Sequence, residues 1–220
     1  MILGNKEEQH CQITLDNTAL EHVTQYKYLG SWTTEDIRCE KDITTRIAMA
    51  KAAFWQNKEI MKRNIRMNTT LKLLNCYIFS VFNYGSKSYT WNKSAERKTD
   101  AFEMWCYRRM LKISWRDRVT NKEVLERVQQ ELHFLKFMKK RKMEYAGHIL
   151  RGSSGDSQLC ILEGKVEGSR GRGRPRLTWI DDVIKWTRCD SYGLIKRKAE
   201  DRSEWRTMVV NLLTEDDTED

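Results

Sequence analysis

Residues 42–61 read DITTRIAMAKAAFWQNKEIM, and their apolar positions recur with the period of a helix. These positions follow one another at steps of four, three, four and seven: Ile43, Ile47, Ala50, Phe54 and Met61. In an α-helix, side chains at such separations share one face. The stretch therefore predicts an amphipathic helix whose apolar stripe packs against further helices.

Toward the N-terminus the period shortens to that of a β-strand. CQITL, at residues 11–15, alternates around Ile13 and Leu15, and Asp16-Asn17 fits a tight turn. The run TQYKYLGSW, at residues 24–32, is rich in aromatic side chains and passes through Gly30. These patterns predict a small β region at the start of the chain.

Toward the C-terminus the helical signals continue. The segment between Thr70 and Gly85 is apolar on nearly every side, which predicts a buried helix. A long helix is expected over residues 131–151. Capping residues predict further helix starts at Ser94, Thr120 with Glu123, Thr178 with Asp181, and Asp201 with Glu204. We therefore expect a mainly α protein with a small N-terminal β-hairpin region.

Charge is unevenly distributed along the 220 residues, which carry a net charge of +9. Residues 41–200 hold 35 of the 40 basic residues and 17 of the 31 acidic ones, a net charge of +18. Both ends are acidic. A basic body of this kind indicates a polyanionic partner, either nucleic acid or an anionic surface.

Two groups of basic residues lie at helical spacing and are candidates for contact with phosphates. The first flanks the apolar stripe of residues 42–61: Lys51, Lys58 and Lys62. The second crowds the middle of the long helix: Lys136, Lys139, Lys140, Arg141 and Lys142. A solvated helix face is favoured for the first group and explains the second as well as a phosphate-docking surface does.

A third basic group lies in EGSRGRGRPRLTW, residues 167–179, where Arg170, Arg172, Arg174 and Arg176 alternate with Gly or Pro. Its Arg-Gly-Arg-Pro core resembles an AT-hook, which inserts arginines into the minor groove of A·T-rich DNA. The run also suits a flexible clamp for phosphates or a solvated linker. We predict contact with nucleic acid.

No arrangement of residues predicts an active site, a metal site or a cofactor. Asp181-Asp182 is better explained by capping at a helix start than by metal binding, because adjacent helical positions point about 100° apart. His148, Cys160 and Cys189 lack the spacing of a zinc module. The six cysteines are widely spaced, which favours reduced thiols and an intracellular, nuclear or cytoplasmic protein. No signal peptide or membrane span is expected.

Six segments resemble, in the same order, the C-terminal part of LINE-type, non-LTR retrotransposon polyproteins, which join an endonuclease to a reverse transcriptase. They are YKYLGSWTTED (26–36), FNYGSKSYTW (82–91), RRMLKISWRDRVTNKEVL (108–125), KRKMEYAGHILRG (140–152), GKVEGSRGRGRPRLTWIDDV (164–183) and AEDRSEWRTMV (199–209). The resemblance covers residues 10–213, nearly the whole chain.

The resemblance implies the end of a polymerase palm, a thumb and a C-terminal extension. Residues 1–36 would be the palm remnant, 37–115 a thumb-like helical bundle, and 116–213 a basic helical extension with an Arg/Gly loop at 167–177. An acidic, disordered tail is expected at 214–220. In such proteins a primer grip positions the primer end, and here it would correspond to Tyr26, Tyr28, Leu29 and Gly30. An ordinary edge hairpin explains these four residues equally well.

The resemblance also limits the expected activity. The Tyr/Phe-x-Asp-Asp motif of the polymerase does not occur in the sequence, and neither does the endonuclease domain. We therefore expect a catalytically incomplete fragment of a transposable element's RNA-directed DNA polymerase, not an enzyme as it stands, that binds RNA or DNA template–primer through backbone phosphates. The alternatives are a stand-alone DNA-binding or architectural module built on the AT-hook-like core, and a helical protein-interaction scaffold.

Overall fold

The computed structural model describes residues 14–21, 23–36, 38–61, 63, 65–153, 155–163 and 177–215. The candidate contact Lys62 lies outside these residues, and so do Arg170, Arg172, Arg174 and Arg176. The same holds for residues 216–220 of the expected acidic tail.

Two antiparallel hairpins begin the described chain, each forming its own two-stranded sheet. Strand β1 (Thr14–Leu15) pairs with β2 (Thr18–Ala19), and β3 (Gln25–Tyr28) pairs with β4 (Ser31–Thr34). Asp16 and Asn17, at φ 48° and 62°, form the turn between the first two strands. The described remainder is helical, so the expected mainly α fold with a small N-terminal hairpin region is confirmed.

Eleven α-helices are found in the described residues. The first six are α1 (Glu40–Gln56), α2 (Lys58–Met61), α3 (Met67–Leu74), α4 (Ser80–Phe82), α5 (Lys93–Met110) and α6 (Asn121–Val128). A π-helical segment, Asn75–Phe79, joins α3 to α4. The last five are α7 (Phe134–Leu150), α8 (Asp156–Leu162), α9 (Trp179–Thr187), α10 (Tyr192–Glu200) and α11 (Arg202–Glu215).

Local capping signals locate several helix starts. Thr120 and Thr178 form the predicted capping boxes, and the carboxylate of Asp201 accepts hydrogen bonds from the amides of Ser203 and Glu204. The prediction for α5 was wrong by two residues. Its cap is Asn92 rather than Ser94, because the Asn92 side chain accepts a hydrogen bond from the amide of Ala95 at 2.8 Å.

Two hydrophobic clusters form the interior. The first combines α1, the α3–α4 segment, α5, α6 and the start of α7, and Phe54, Phe82, Phe102 and Phe134 are buried in it. The apolar stripe of residues 42–61 contributes Ile43, Ala50, Phe54 and Met61 to this cluster. The second cluster combines the rest of α7 with α9, α10 and α11.

Helix α7 belongs to both clusters. Met138 packs in the first, whereas Met143 and Ala146 pack in the second. Trp205 of α11 approaches α7 so closely that a Cβ on Gly147 would lie 2.5 Å from its Nε1 atom, and that nitrogen donates to the carbonyl of Met143 at 2.9 Å. The first turns of α7 therefore pack with the first cluster and its later turns with the second. The division of the chain at residue 115 stays a prediction.

The N-terminus of α7 is capped from another helix. Glu103 of α5 is fully buried, and its two carboxylate oxygens accept the backbone amides of His133 and Phe134, both at 3.1 Å. The Tyr107 hydroxyl donates to the same carboxylate at 2.7 Å. A negative charge at a helix N-terminus satisfies unpaired amides and complements the helix dipole. This contact fixes α7 against α5.

Candidate nucleic-acid interface

The hairpin of β3 and β4 presents the four residues of the predicted primer grip at one turn. Tyr28 pairs with Ser31, so Leu29 and Gly30 form a two-residue loop. Both loop residues have positive φ, 46° and 83°, as a type I′ turn requires. Glycine adopts this conformation freely, whereas leucine does so at a cost in free energy.

Both carbonyls of the turn are held by side chains of the helical body. Arg46 of α1 donates to the Gly30 carbonyl at 2.6 Å, and the Tyr84 hydroxyl donates to the Leu29 carbonyl at 3.0 Å. The Arg46 guanidinium lies 4.4 Å from the centre of the Tyr84 ring. These contacts fix the backbone of the turn relative to α1 and the segment after α4.

A second attachment lies on β4, two residues after Gly30. Asp42 is buried and accepts the backbone amide of Trp32 at 2.9 Å and the hydroxyl of Tyr89 at 2.7 Å. Burial, followed by the hydrogen bond to Asp42, raises the pKa of the Tyr89 hydroxyl, which stays protonated and keeps donating. One carboxylate therefore joins the hairpin to the segment before α5.

The side chains at the tip point outward while their backbone is held. Tyr26, Tyr28 and Leu29 are 54%, 63% and 74% exposed. Because alternate residues of a strand share a face, the two tyrosines lie side by side. The result is an exposed aromatic surface on a fixed backbone.

Lys51 of α1 and Lys58 of α2 lie in different surroundings. The Lys51 ammonium lies 5.3 Å from the centre of the Trp105 ring, whereas Lys58 is exposed and 3.9 Å from the Glu59 carboxylate. The Arg109 guanidinium lies 5.8 Å from the centre of the same ring, and the pattern of basic residues did not predict this contact. Only its separation of four residues from Trp105 along α5 could have suggested the contact.

Helix α7 spreads its basic run around its circumference. Lys140 is exposed, Arg141 lies 5.5 Å from the centre of the Phe137 ring, and Lys136 is 3.3 Å from the Glu131 carboxylate. Lys139 is partly buried. These four side chains retain access to solvent, so the interpretation of this run as a phosphate-facing surface fits them.

Lys142 does not fit that interpretation, because its side chain is fully buried. Its ammonium donates to the Tyr89 carbonyl at 2.8 Å and to the Asp182 carboxylate at 2.5 Å. Lys142 follows Met138 by four residues and precedes Ala146 by four, so it shares their inward face. A bound nucleic acid cannot reach this lysine.

The same ion pair changes the interpretation of Asp181-Asp182. Asp181 caps α9 as predicted, accepting the amide of Thr178 at 2.6 Å. Asp182 instead points inward, where it meets Lys142 and accepts the amide of Trp91 at 2.8 Å. Burial raises the pKa of Asp182 and lowers that of Lys142, and the attraction between the two opposes both shifts.

A cavity of about 680 Å³ lies between the region around α4 and the first half of α7. Tyr84, which holds the turn, lines it together with the cationic side chains of Lys87 and Arg141. Asn83 also lines it, and within the described residues its side-chain oxygen has no hydrogen-bond partner. Lys87 was not selected from the sequence, because it lies in a short 3₁₀ turn and not on a helix face.

The described residues contain no group of three or more His, Cys, Asp or Glu side chains placed to hold a metal ion. Cys39, Cys76, Cys106, Cys160 and Cys189 carry free thiols. In the same parts of the chain, none of the helices combines the length and apolar character needed to cross a bilayer.

An uncharacterized transposon-derived protein of Caenorhabditis elegans is similar to this chain, with 28% identity over 205 residues. The match covers 87% of this chain and 72% of the nematode protein. No protein-family model matches the chain, and no solved structure matches it. The similarity indicates a transposon origin.

Proposed function

We propose that this chain of transposon origin is the C-terminal part of a non-LTR retrotransposon reverse transcriptase and binds template–primer nucleic acid through backbone phosphates. The resemblance of its six ordered segments to that family supports the proposal, and so does its similarity to a transposon-derived protein. The fixed, exposed tip of the β3–β4 hairpin is the structural observation that carries it.

The tip combines a held backbone with exposed aromatic side chains. Arg46 and Tyr84 hold the backbone carbonyls of the turn, yet Tyr26 and Tyr28 gain no burial from this arrangement. Aromatic rings held at a surface stack on bases and sugars, and they lose little conformational entropy on binding when their backbone is already fixed. The tip is therefore suited to contact the end of a nucleic-acid strand.

Cations near the tip supply the phosphate contacts of the proposed interface. Lys87 and Arg141 line the cavity next to Tyr84, and Lys140 is exposed on the same helix as Arg141. Phosphate contacts fix register and orientation without reading sequence. We therefore expect tight binding with little sequence preference.

These 220 residues are proposed to be catalytically incomplete. Phosphoryl transfer by polymerases depends on carboxylates that hold two metal ions, and the sequence contains no Tyr/Phe-x-Asp-Asp motif. The purified chain should fail to extend a DNA primer on an RNA template in the presence of magnesium or manganese. Extension that survives repurification would overturn this part of the proposal.

The binding proposal is tested with a fluorescein-labelled RNA–DNA template–primer and anisotropy titrations. The double variant Tyr26→Ala/Tyr28→Ala should bind at least about fivefold more weakly, since base–aromatic stacking contributes about 1–3 kcal/mol per base. Tyr77→Ala is the matched control, because Tyr77 is 48% exposed on the π-helical segment, outside the hairpin. Affinity should also fall linearly on a log–log plot against salt concentration.

Two results would contradict the proposal. One is a wild-type chain that binds no template–primer at low salt. The other is a hairpin double variant with wild-type affinity and an unchanged melting temperature. The alternative based on the AT-hook-like core depends on Arg170, Arg172, Arg174 and Arg176, outside the described residues, and stays a prediction.

A further inference from the structure

The loop between α5 and α6 displays a tryptophan that takes no part in either hydrophobic cluster. Trp115 is 84% exposed. It lies in the 3₁₀ turn Trp115–Asp117, far along the chain from the proposed hairpin site. An exposed indole of this size contributes little to folding, since stability comes from the apolar area removed from water.

The turn that carries Trp115 is tightly constrained. Ser114 and Asp117 form a capping box, in which the Ser114 amide donates to the Asp117 carboxylate at 2.6 Å. Lys112 and Arg118 flank the turn with φ of 59° and 49°, a left-handed backbone conformation that residues other than glycine rarely adopt. Backbone strain of this kind is retained where the surrounding structure imposes it, often at binding sites.

Both ends of the loop are attached to one residue of α5. The Arg108 carbonyl accepts the amide of Ile113 at 2.9 Å, and the Arg108 guanidinium donates to the Val119 carbonyl at 2.9 Å. Ile113 and Val119 themselves pack against the first cluster. The loop is therefore anchored at its base, and Trp115 projects from its outer part.

The charge around Trp115 is positive. Lys112, Arg116 and Arg118 are all exposed, and the Arg116 guanidinium lies 5.7 Å from the centre of the Trp115 ring. Among the described residues, none of these three side chains forms an ion pair with a carboxylate. The nearby Asp117 carboxylate is engaged in the capping box. The turn thus combines a flat aromatic surface with three exposed cations.

We propose that the turn around Trp115 is a stacking site for an unpaired nucleobase, with Lys112, Arg116 and Arg118 contacting the adjoining phosphates. This site is separate from the hairpin and rests on the proposed nucleic-acid binding of the chain. It selects single-stranded segments, because the faces of bases in a duplex are covered by their neighbours.

A lipid surface is a poorer fit for the same features. Stable attachment to an anionic membrane requires a substantial apolar surface in addition to basic residues. Here the two nearest apolar side chains in the loop, Ile113 and Val119, are directed into the first cluster. One indole on a rigid turn suits a single base better than an acyl layer.

Anisotropy titrations with a fluorescein-labelled 20-nucleotide oligothymidylate test the stacking directly. Trp115→Ala should weaken binding by about 5- to 150-fold, the range corresponding to about 1–3 kcal/mol of stacking. Trp115→Phe should retain most of the affinity. Ile161→Ala is the matched control, because Ile161 is also exposed, at 68%, but lies in α8 away from this turn. Equal affinity of folded Trp115→Ala and wild type would overturn the proposal.

A triple variant tests the phosphate contacts. Changing Lys112, Arg116 and Arg118 to Gln should make the log–log salt slope for the single strand shallower, by about 0.7 for each lost contact. The control replaces three exposed basic residues of the first half of α5, Lys93, Arg97 and Lys98, and should leave the slope unchanged. Equal slopes for the two triple variants would contradict the proposal.

Two further arms separate this site from the hairpin and from lipid binding. Trp115→Ala should bind a blunt-ended RNA–DNA duplex, which has no unpaired base, within about twofold of wild type, whereas Tyr26→Ala/Tyr28→Ala should keep its affinity for oligothymidylate. If only Tyr26→Ala/Tyr28→Ala weakened binding to oligothymidylate, and Trp115→Ala did not, the Trp115 proposal would be contradicted. Binding to phosphatidylserine vesicles that depends on Trp115, without an effect on the single strand, would replace the proposal with a membrane contact.

Discussion

Lys142 and Asp182 form an ion pair without access to solvent, and it joins α7 to α9. Each charge also has a backbone partner, the Tyr89 carbonyl for the lysine and the Trp91 amide for the aspartate. The Lys142 ammonium further lies 4.8 Å from the centre of the Trp179 ring. Burying two charges is costly, and good geometry with additional hydrogen bonds offsets that cost.

Removing one member of this pair should be strongly destabilising. Lys142→Met would leave Asp182 buried without its counter-charge, and the free energy of unfolding should fall by about 3–5 kcal/mol. The double variant Lys142→Met/Asp182→Asn should recover part of this loss, because the asparagine oxygen still accepts the amide of Trp91. Urea unfolding measures the free energy of unfolding of both variants. A loss below about 1 kcal/mol in the single variant would show that the pair is open to water.

Asp100 of α5 gives the protein a pH-dependent stability. It is half-buried, and burial raises the pKa of its carboxyl to about 6, with Glu103 and Glu96 adding to the effect and Lys139 opposing it. The folded state therefore binds this proton more tightly than the unfolded chain does. Its contribution to stability is greatest below about pH 4 and declines as the pH rises through 6.

Asp100→Asn should remove this dependence. The variant and the wild type should unfold at similar denaturant concentrations near pH 4, where the aspartate is protonated. At pH 7 the variant should be more stable by about 1 kcal/mol, a value reduced because solvent screens a partly exposed carboxylate. Denaturation series at the two pH values measure the difference. A gain in stability that is the same at both pH values would show that it comes from packing and not from the loss of charge.

The lysines of α7 show which features of the candidate site a sequence can predict. The basic run of α7 was evident, but whether each lysine faces water depends on which side of α7 meets α9, and that partner is 40 residues away. Lys140 and Lys142 look alike in the sequence, yet one is exposed and the other fully buried. Burial and charge pairing between distant elements could therefore not be predicted from the sequence.

At the scale of single elements, the β3–β4 turn combines a favourable and an unfavourable residue. Gly30 suits its φ of 83°, whereas Leu29 is held at φ 46° and is 74% exposed. Asn-Gly is the preferred pair for this turn type. A leucine there gains neither burial nor backbone preference, which is consistent with a role in contact with a ligand.

Leu29→Asn should therefore separate stability from binding. The free energy of unfolding should rise by about 0.5–1 kcal/mol, because asparagine adopts the left-handed conformation more readily. Affinity for template–primer should fall, because the apolar tip is lost. Thermal melting and anisotropy report the two effects. Increased stability with unchanged affinity would remove Leu29 from the proposed interface, although the tyrosines would still be candidates.

Helix boundaries were predictable where the capping was local. Both residues of a capping box lie within one short stretch of sequence, three residues apart, as in Thr120 with Glu123 and Thr178 with Asp181. The start of α7 was predicted at residue 131 but lies at Phe134, because its cap is the Glu103 carboxylate from α5. A cap supplied by a distant helix leaves no local pattern.

For the whole molecule, the sharing of α7 between two clusters predicts cooperative unfolding. The first cluster needs Phe134 and Met138, and the second needs Met143 and Ala146 of the same helix. Loss of either cluster exposes one half of α7 and breaks the Lys142–Asp182 pair. We expect urea unfolding followed by tryptophan fluorescence and by far-UV circular dichroism to give one coincident transition. Two separated transitions would show that the clusters fold independently.

The buried pair between α7 and α9 also sets an order of assembly during translation. Asp182 leaves the ribosome 40 residues after Lys142, a delay of roughly 2–8 s at ordinary rates of synthesis. Until then the Lys142 ammonium has no buried counter-charge, so we expect the C-terminal half of α7 to remain hydrated. The first turns of α7 can meanwhile pack against the first hydrophobic cluster, whose other helices precede α7 in the chain. We therefore expect Met143 and Ala146 to stay exposed to solvent in the nascent chain until α9 has been synthesised.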